Sequence, residues 1–292
     1  MIRMKPSQVC KDSTLQIKLF ECYSSGMERN EASRKCNVTW DTANRWYIKF
    51  AKGPKEFKIE SKVSLYDKLI SVGDTEQEIK EMYCYVLGLY FGDGYIDEGK
   101  YIYRMRIVHF REDSSLIKET IRGYLSIFPG HKVQLVPAGD SRAITVYCYS
   151  NDIPKAFPNM IGKVGRKHEN VVGLLDWQKV LISRYPKMFL RGLVHSDGSR
   201  YLADSCSKRI TYCFVNRSKE FRDHFRYCCS LLNIQPGPTD SAYDTIFVNR
   251  KASIEILDSF IGPRHEANEI PIPREYEKLL LEKLEVSRRL VP

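Results

Sequence analysis

The chain has 292 residues, with 46 Lys and Arg against 36 Asp and Glu and a formal net charge of +10. Its 43% hydrophobic and 28% charged residues are ordinary for a globular protein and exclude a disordered chain or a coiled coil. No run of ~18 apolar residues argues for a membrane span, and Met1–Pro6 runs into polar residues with none of the apolar stretch of a secretory signal. Nine scattered Cys without C-x-x-C spacing, and six His without paired spacing, give neither a disulfide framework nor a zinc signature. They read as reduced thiols of a cytoplasmic protein.

Residues 1–55 hold eleven Lys and Arg against five Asp and Glu, so more than half of the net charge sits there. Three short helical patterns follow one another. The first, Thr14–Tyr23, stops at the turn Ser24-Ser25-Gly26, and the second, Glu28–Cys36, breaks at Asn37. The third starts after the N-cap candidate Thr39 and repeats Ala43, Trp46, Tyr47 and Phe50 on one helix face. Its other face shows Thr42, Asn44, Arg45 and Lys49. The stretch Gly26–Thr39 with Trp46 beyond it resembles the helix-turn-helix of transposases and repressors. That resemblance implies a third helix in the major groove, with Thr42, Asn44, Arg45 and Lys49 reaching bases and phosphates. Residues 56–77 read as a linker with one helical turn around Leu65–Ile70.

Two helices downstream end alike. Glu78–Gly92 is almost wholly apolar from Met82 and runs into Leu87-Gly88-Leu89-Tyr90-Phe91-Gly92-Asp93-Gly94. Pro186 opens a second helix that ends Arg191-Gly192-Leu193-Val194-His195-Ser196-Asp197-Gly198. The acids lie 104 positions apart, from 93 to 197. Small residues four apart (Gly88 and Gly92, Gly192 and Ser196) strip one face of each helix, so two such helices can meet backbone to backbone. An acid just past each face then emerges at the same end of the pair. Gly94 and Gly198 suit a chain leaving a helix in a left-handed conformation. Two carboxylates brought close repel, and an oxygen-ligated Mg²⁺ (or Mn²⁺) relieves that repulsion.

Both segments resemble the LAGLIDADG motif of homing endonucleases, and two copies in one chain resemble the single-chain members of that family. The resemblance implies an α+β fold: two pseudo-symmetric αββαββα halves whose antiparallel sheets form a saddle over DNA, preceded here by the small all-α domain. The halves are expected at 78–180 and 181–292, the second with an amphipathic C-terminal helix over Glu275–Arg289 packed on it.

The text after each motif follows that order. Alternating Tyr103, Met105 and Ile107 precede a helix near Ser114–Ile127, then strands at Lys132–Val136 and Ala143–Tyr149. Alternating Ile210, Tyr212 and Phe214 precede a helix near Lys219–Leu232 and a strand at Thr245–Asn249. The side chains opposite the apolar positions (Arg104, Arg106, Lys132, Gln134, Thr145, Arg209 and Thr211) are expected on the DNA face. Each half closes on basic-His-Glu, at Lys167 and at Arg264. The family brings basic residues from this region to its acids, so Lys167 and Arg264 take that role by position, with Lys163 and Arg166 as close competitors.

The resemblance implies Mg²⁺ (or Mn²⁺) held by Asp93 and Asp197 with backbone carbonyls of Gly92 and Ser196, each acid serving one strand of a double-strand break with a short 3′ overhang. The position two before each acid, often acidic in the family, is Phe91 or His195 here, and His195 is expected to pack at the helix interface. The expected protein is a monomeric, site-specific endonuclease acting on double-stranded DNA in the cytoplasm or nucleoid, without a membrane or small-molecule substrate. A non-cleaving regulator on the same fold and an intron RNA maturase are the alternatives.

Overall fold

The computed structural model describes residues 13–51, 65–71, 76–99, 102–137, 142–158, 173–204, 209–262 and 271–289. The chain divides into two compact units, Met1–Ser64 and Leu65–Pro292.

The first unit is helical: α1 (Ser13–Ser24), α2 (Arg29–Lys35) and α3 (Trp40–Ala51). Leu15, Leu19, Cys22, Ala32, Cys36, Val38, Ala43, Trp46 and Tyr47 form its core. The turns use residues that tolerate the left-handed region, Gly26 at φ 75° and Asn37 at φ 52°. Thr39 opens α3, its Oγ1 accepting from the Thr42 amide at 3.2 Å and pairing with the Thr42 hydroxyl at 2.7 Å. The Tyr47 hydroxyl donates to Met27 O at 2.9 Å, which ties α3 to the turn between α1 and α2.

The second unit opens with α4 (Leu65–Ile70). This turn does not belong to a linker, because Leu65 and Leu69 are buried in the unit's main core. Then come α5 (Gln77–Asp93), β1 (Gly94–Glu98), β2 (Tyr103–Phe110), α6 (Ser114–Ile127), β3 (Val133–Pro137), β4 (Ala143–Tyr149) and α7 (Ile153–Ala156). After α8 (Asp176–Arg184) the order repeats: α9 (Pro186–Asp197), β5 (Gly198–Asp204), β6 (Arg209–Val215), α10 (Lys219–Leu231), β7 (Thr239–Asp240), β8 (Thr245–Val248) and α11 (Lys251–Ile261). The closing helix is α12 (Arg274–Arg289).

Both sheets are antiparallel, ordered β1-β2-β4-β3 and β5-β6-β8-β7. The same αββαββα order and the same strand order therefore occur twice, which is the α+β architecture anticipated from the paired motifs. Strand alternation sends Met105, Ile107, Val133, Leu135, Val146 and Cys148 of the first sheet, and Tyr212, Phe214, Ile246 and Val248 of the second, into one shared core.

The central helices are buried on nearly every side, and all residues from Met82 to Phe91 are buried. Such a helix reads as apolar all round rather than amphipathic. Its polar atoms are paired: the Tyr83 hydroxyl donates to Ala156 O at 2.7 Å and accepts from Gln178 Nε2 at 2.8 Å. The Lys80 ammonium donates to Ser71 O at 2.8 Å.

The C-terminal helix differs from expectation. α12 packs on the first half, where the Tyr276 hydroxyl accepts from Val133 N at 3.4 Å and Glu277 lies 3.7 Å from Lys118. β3 is an edge strand of the first sheet, and α12 lies against it, with the Tyr276 hydroxyl taking the Val133 amide.

Candidate functional site

The helices α5 and α9 cross at their glycines. A Cβ placed on Gly88 would lie 2.5 Å from Phe189 O and 2.9 Å from Gly192 Cα, and one on Gly192 would lie 2.9 Å from Gly88 Cα and strike Tyr85 O. Only bare backbone allows this approach. One turn further on, a Cβ on Gly92 would strike Ser196 and lie 2.8 Å from Asp197 Oδ1. The Asp197 carboxylate thus stands beside the backbone of the residue preceding Asp93. Both acids are the last residues of their helices, leave at the same end of the pair, and are half-buried.

Gly94 and Gly198 follow them, but not in the left-handed conformation expected. Their φ values are −87° and −105° with extended ψ. Glycine is needed here for closeness instead. A Cβ on Gly94 would sit 2.5 Å from Tyr90 Cα, and one on Gly198 would sit 2.7 Å from Val194 Cα, because the departing strand folds back over the last helical turn. That reversal runs β1 and β5 directly from the acids.

Each acid sits at the negative end of a helix, where terminal carbonyls point outward and a carboxylate is electrostatically disfavoured. Two carboxylates and two sets of carbonyls facing one region form a hard-oxygen donor set. Such a set fits Mg²⁺, Mn²⁺ or Ca²⁺ and does not fit a thiophilic metal. Among the described residues no cluster of three or more His, Cys, Asp or Glu occurs.

Asn216 was missing from the sequence expectation. It follows β6, and its Nδ2 donates to Asp197 Oδ2 at 2.5 Å. Its own Oδ1 accepts from Ser218 N at 2.8 Å, and Arg222 donates to its backbone carbonyl. Arg222 is in turn anchored by Asp244 at 2.8 Å. The β5–β6 register, Gly198 opposite Phe214, sets Asp197 opposite Val215 and brings Asn216, the next residue, within reach of its carboxylate.

The expected interface residues fall on the sheet faces turned away from the core. In the first sheet the register pairs Arg104 with Tyr149, Arg106 and Gln134 with Tyr147, and Val108 and Val136 with Thr145, all on one face. Arg104 makes contacts of 2.7 and 2.8 Å to Asp97 and lies 5.1 Å from the Tyr147 ring centroid. Arg106 lies 4.0 Å from the same carboxylate and 4.7 Å from the Tyr95 centroid. Arginine stacked on tyrosine presents a fixed, flat cation. Lys132 is exposed just before β3. In the second sheet Arg209 is exposed.

Three threonines correct the expectation. Thr145 (5% exposed) and Thr211 (3%) have the right parity but are covered by their neighbours. Thr42 is fully buried, with its hydroxyl committed to Thr39, because it precedes Trp46 by one turn and therefore lies on the core side of α3. The exposed face of α3 carries Trp40, Asp41, Arg45 and Ile48, with Asn44 half-buried. Arg45 pairs with Asp41 at 3.1 Å. The Lys49 side chain lies outside the described residues, as do Lys167, Arg264, Lys163 and Arg166.

His195 packs at the helix interface, 3% exposed. Its Nδ1 is 3.1 Å from the Tyr85 hydroxyl and its Nε2 is 3.1 Å from Ile261 O. Glu119 is buried beside it, its carboxyl raised above the usual range by burial and opposed by the Arg191 guanidinium at 3.0 Å.

The paired motif helices, each ending in an acid and leading into one of two matching sheets, form a duplicated α+β core in the order that the sequence resemblance implies. No known family model and no curated protein matches the sequence. Among solved structures, the chain is similar to I-DmoI in complex with DNA and manganese, at 18% identity and a TM-score of 0.42, over 63% of this chain and 98% of that one. It is also similar to the homing endonuclease I-WcaI bound to its DNA recognition sequence, at 14% identity and 0.38, over 74% and 98%. The N-terminal LAGLIDADG domain of DUF199/WhiA is similar at 16% identity and 0.38, over 73% and 93%.

Proposed function

We propose that this protein is a divalent-metal-dependent DNA endonuclease that makes a site-specific double-strand break. What carries the reading is the pair of half-buried acids, Asp93 and Asp197, brought to one end of a glycine-packed helix pair between two equivalent sheets. Mg²⁺ or Mn²⁺ would be held by Asp93 and Asp197 with the carbonyls of Gly92 and Ser196. When bound, the cation supplies Lewis acidity, making water a better nucleophile near neutral pH and countering phosphate charge.

The chain's own residues do the rest. Asn216 donates to Asp197 Oδ2 and so fixes which carboxylate oxygen faces outward. Arg104 and Arg106, stiffened by Tyr147 and Tyr95, meet the duplex from the first sheet, with Gln134 on its edge strand β3. Lys132 and Arg209 meet phosphates. Lys167 and Arg264 are proposed to bring positive charge toward the scissile phosphates. The helices of residues 1–55 act as a helix-turn-helix reader joined by the segment 56–64, with Asn44 and Arg45 of α3 facing DNA. A tethered second reader adds affinity through effective concentration.

The test is duplex cleavage with Mg²⁺ by the full chain and by Asp93→Asn and Asp197→Asn. Each substitution removes a ligand charge at constant size and abolishes double-strand cutting while binding persists. A variant that cuts both strands at the normal rate refutes the assignment. Tight sequence-specific binding with no cutting by the unsubstituted chain points instead to a regulator.

A further inference from the structure

The helix pair beneath the two acids is not symmetric. Residues 85 and 189, 91 and 195, and 93 and 197 are each 104 positions apart and occupy equivalent places in the two motif helices. On one side Phe91 meets Phe189 edge-on, with centroids 5.7 Å apart at 87°, and stacks on Phe221 of α10 at 4.2 Å. On the other side His195 meets Tyr85 in nearly the same geometry, 5.8 Å and 87°. The shapes match and the chemistry does not.

His195 is tied at both ring nitrogens. A carbonyl only accepts, so Nε2 donates to Ile261 O at the end of α11, while Nδ1 lies 3.1 Å from the Tyr85 hydroxyl of α5, which also hydrogen-bonds Glu119. Glu119 of α6 lies 3.9 Å from Nδ1 and accepts from Arg191 of α9 at 3.0 Å, while Arg191 also donates to Phe260 O at 3.2 Å. Four helices are thus joined by directional contacts half a turn before Asp197. Around Phe91 the contacts are ring faces, those of Phe189, Phe221 and the His224 imidazole at 6.3 Å, which resist separation but allow sliding. A satisfied buried polar network specifies one geometry where an apolar contact tolerates several.

We infer that Tyr85, His195, Glu119 and Arg191 are positioning residues for Asp197, so that the two strands of the duplex are cut by inequivalent half-sites, the strand served by Asp197 first. The inference rests on the endonuclease reading above. Pre-organised geometry sets rate steeply, and a displacement of about 1 Å can cost up to ~100-fold. Losing one directional contact then slows the favoured strand by about tenfold and leaves the other unchanged.

The experiment uses the full chain, Mg²⁺ and a cleavable duplex labelled with a different dye on each 5′ end, so that both strand rates are read together. The unsubstituted chain shows two unequal rates with a transient nick in one strand. Tyr85→Phe removes only the hydroxyl, and Glu119→Gln removes the charge and turns one acceptor oxygen into a donor. Each lowers the faster rate toward the slower one without changing the duplex Kd. Combining Tyr85→Phe with His195→Phe reproduces the apolar pair of the other side, and the two rates converge. Melting temperatures identify any variant that fails to fold, and the remaining ones decide the result. Equal slowing of both strands, slowing of the slower strand alone, or no change in the ratio overturns the inference while cleavage by the unsubstituted chain stands. If the unsubstituted chain cuts no duplex, the endonuclease reading itself fails, and the inference falls with it.

Discussion

Replacing Gly88 by Ala tests the helix crossing that brings the acids together. The new methyl would sit 2.5 Å from Phe189 O and 2.9 Å from both Gly192 Cα and Leu193 N. All three are backbone atoms of a buried helix, so no side chain can swing aside and α5 and α9 must separate. Alanine favours an isolated helix by about 1 kcal/mol over glycine. Overpacking of a tight core costs about 1–3 kcal/mol or more, and rigid backbone puts this site at or above the upper end. The net expectation is a loss of about 2 kcal/mol. For a unit of this size that lowers Tm by about 4–8 °C. Scanning calorimetry of the full chain measures it. Gly237→Ala is the comparison, since its methyl would rest 3.4 Å from Phe247 O, an ordinary contact, and should shift Tm by little. If Gly88→Ala melts at or above the parent temperature, the helices do not meet backbone to backbone and the account of the acids loses its foundation.

Other substitutions test separate parts of the account. Asn216→Ala removes the donor to Asp197 Oδ2 and should slow cleavage by ten- to a hundredfold, in line with ~10–100-fold effects of outer-shell partners, at unchanged duplex affinity; a weaker Kd with normal rate would place Asn216 in binding instead. Asn44→Ala should weaken binding by about 1–3 kcal/mol and only for particular base pairs, whereas Arg45→Ala should weaken it across sequences and lower the salt slope by about one unit, both read by fluorescence anisotropy at several salt concentrations. Asp258 is held below the usual carboxylate range by its hydrogen bonds with Arg200, despite opposing burial. Its stabilising contribution is therefore present above the unfolded-state pKa and lost as pH falls through the folded one. Asp258→Asn should cost no more than about 1 kcal/mol near neutral pH, since the pair is largely solvent-screened, and the difference from the parent should vanish in acid; a cost that persists at low pH would assign it to packing.

The motif helices were legible because their signal is steric. Gly88, Gly92, Gly192 and Ser196 at four-residue spacing leave few explanations other than a close helix crossing. Strands β2, β4 and β6 were legible from alternation that separates core from open face. β1 and β5 were not, because each starts within one residue of a helix and its glycine marks a reversal rather than a strand. Gly94 and Gly198 have the sequence pattern of left-handed caps, while the structure uses them for contact with the helix they leave. Thr42 was assigned outward by its polarity. Its hydroxyl serves the cap, which turns it inward. The partner of α12 was hidden for another reason. Sequence order places Glu275–Arg289 after the second half, but its contact is with the edge strand β3 of the first half, and edges are set by sheet order rather than by local pattern. Asn216 carries no motif and needs the β5–β6 register to find it.

The most direct test of the central claim is cleavage of a randomised duplex library by the full chain in Mg²⁺, with the cut ends sequenced. The account predicts double-strand breaks within one long asymmetric sequence, with short 3′ overhangs, that disappear with Asp93→Asn or Asp197→Asn and when the metal is chelated. Enrichment of bound sequences without cut ends, or cutting that survives both substitutions, would contradict it.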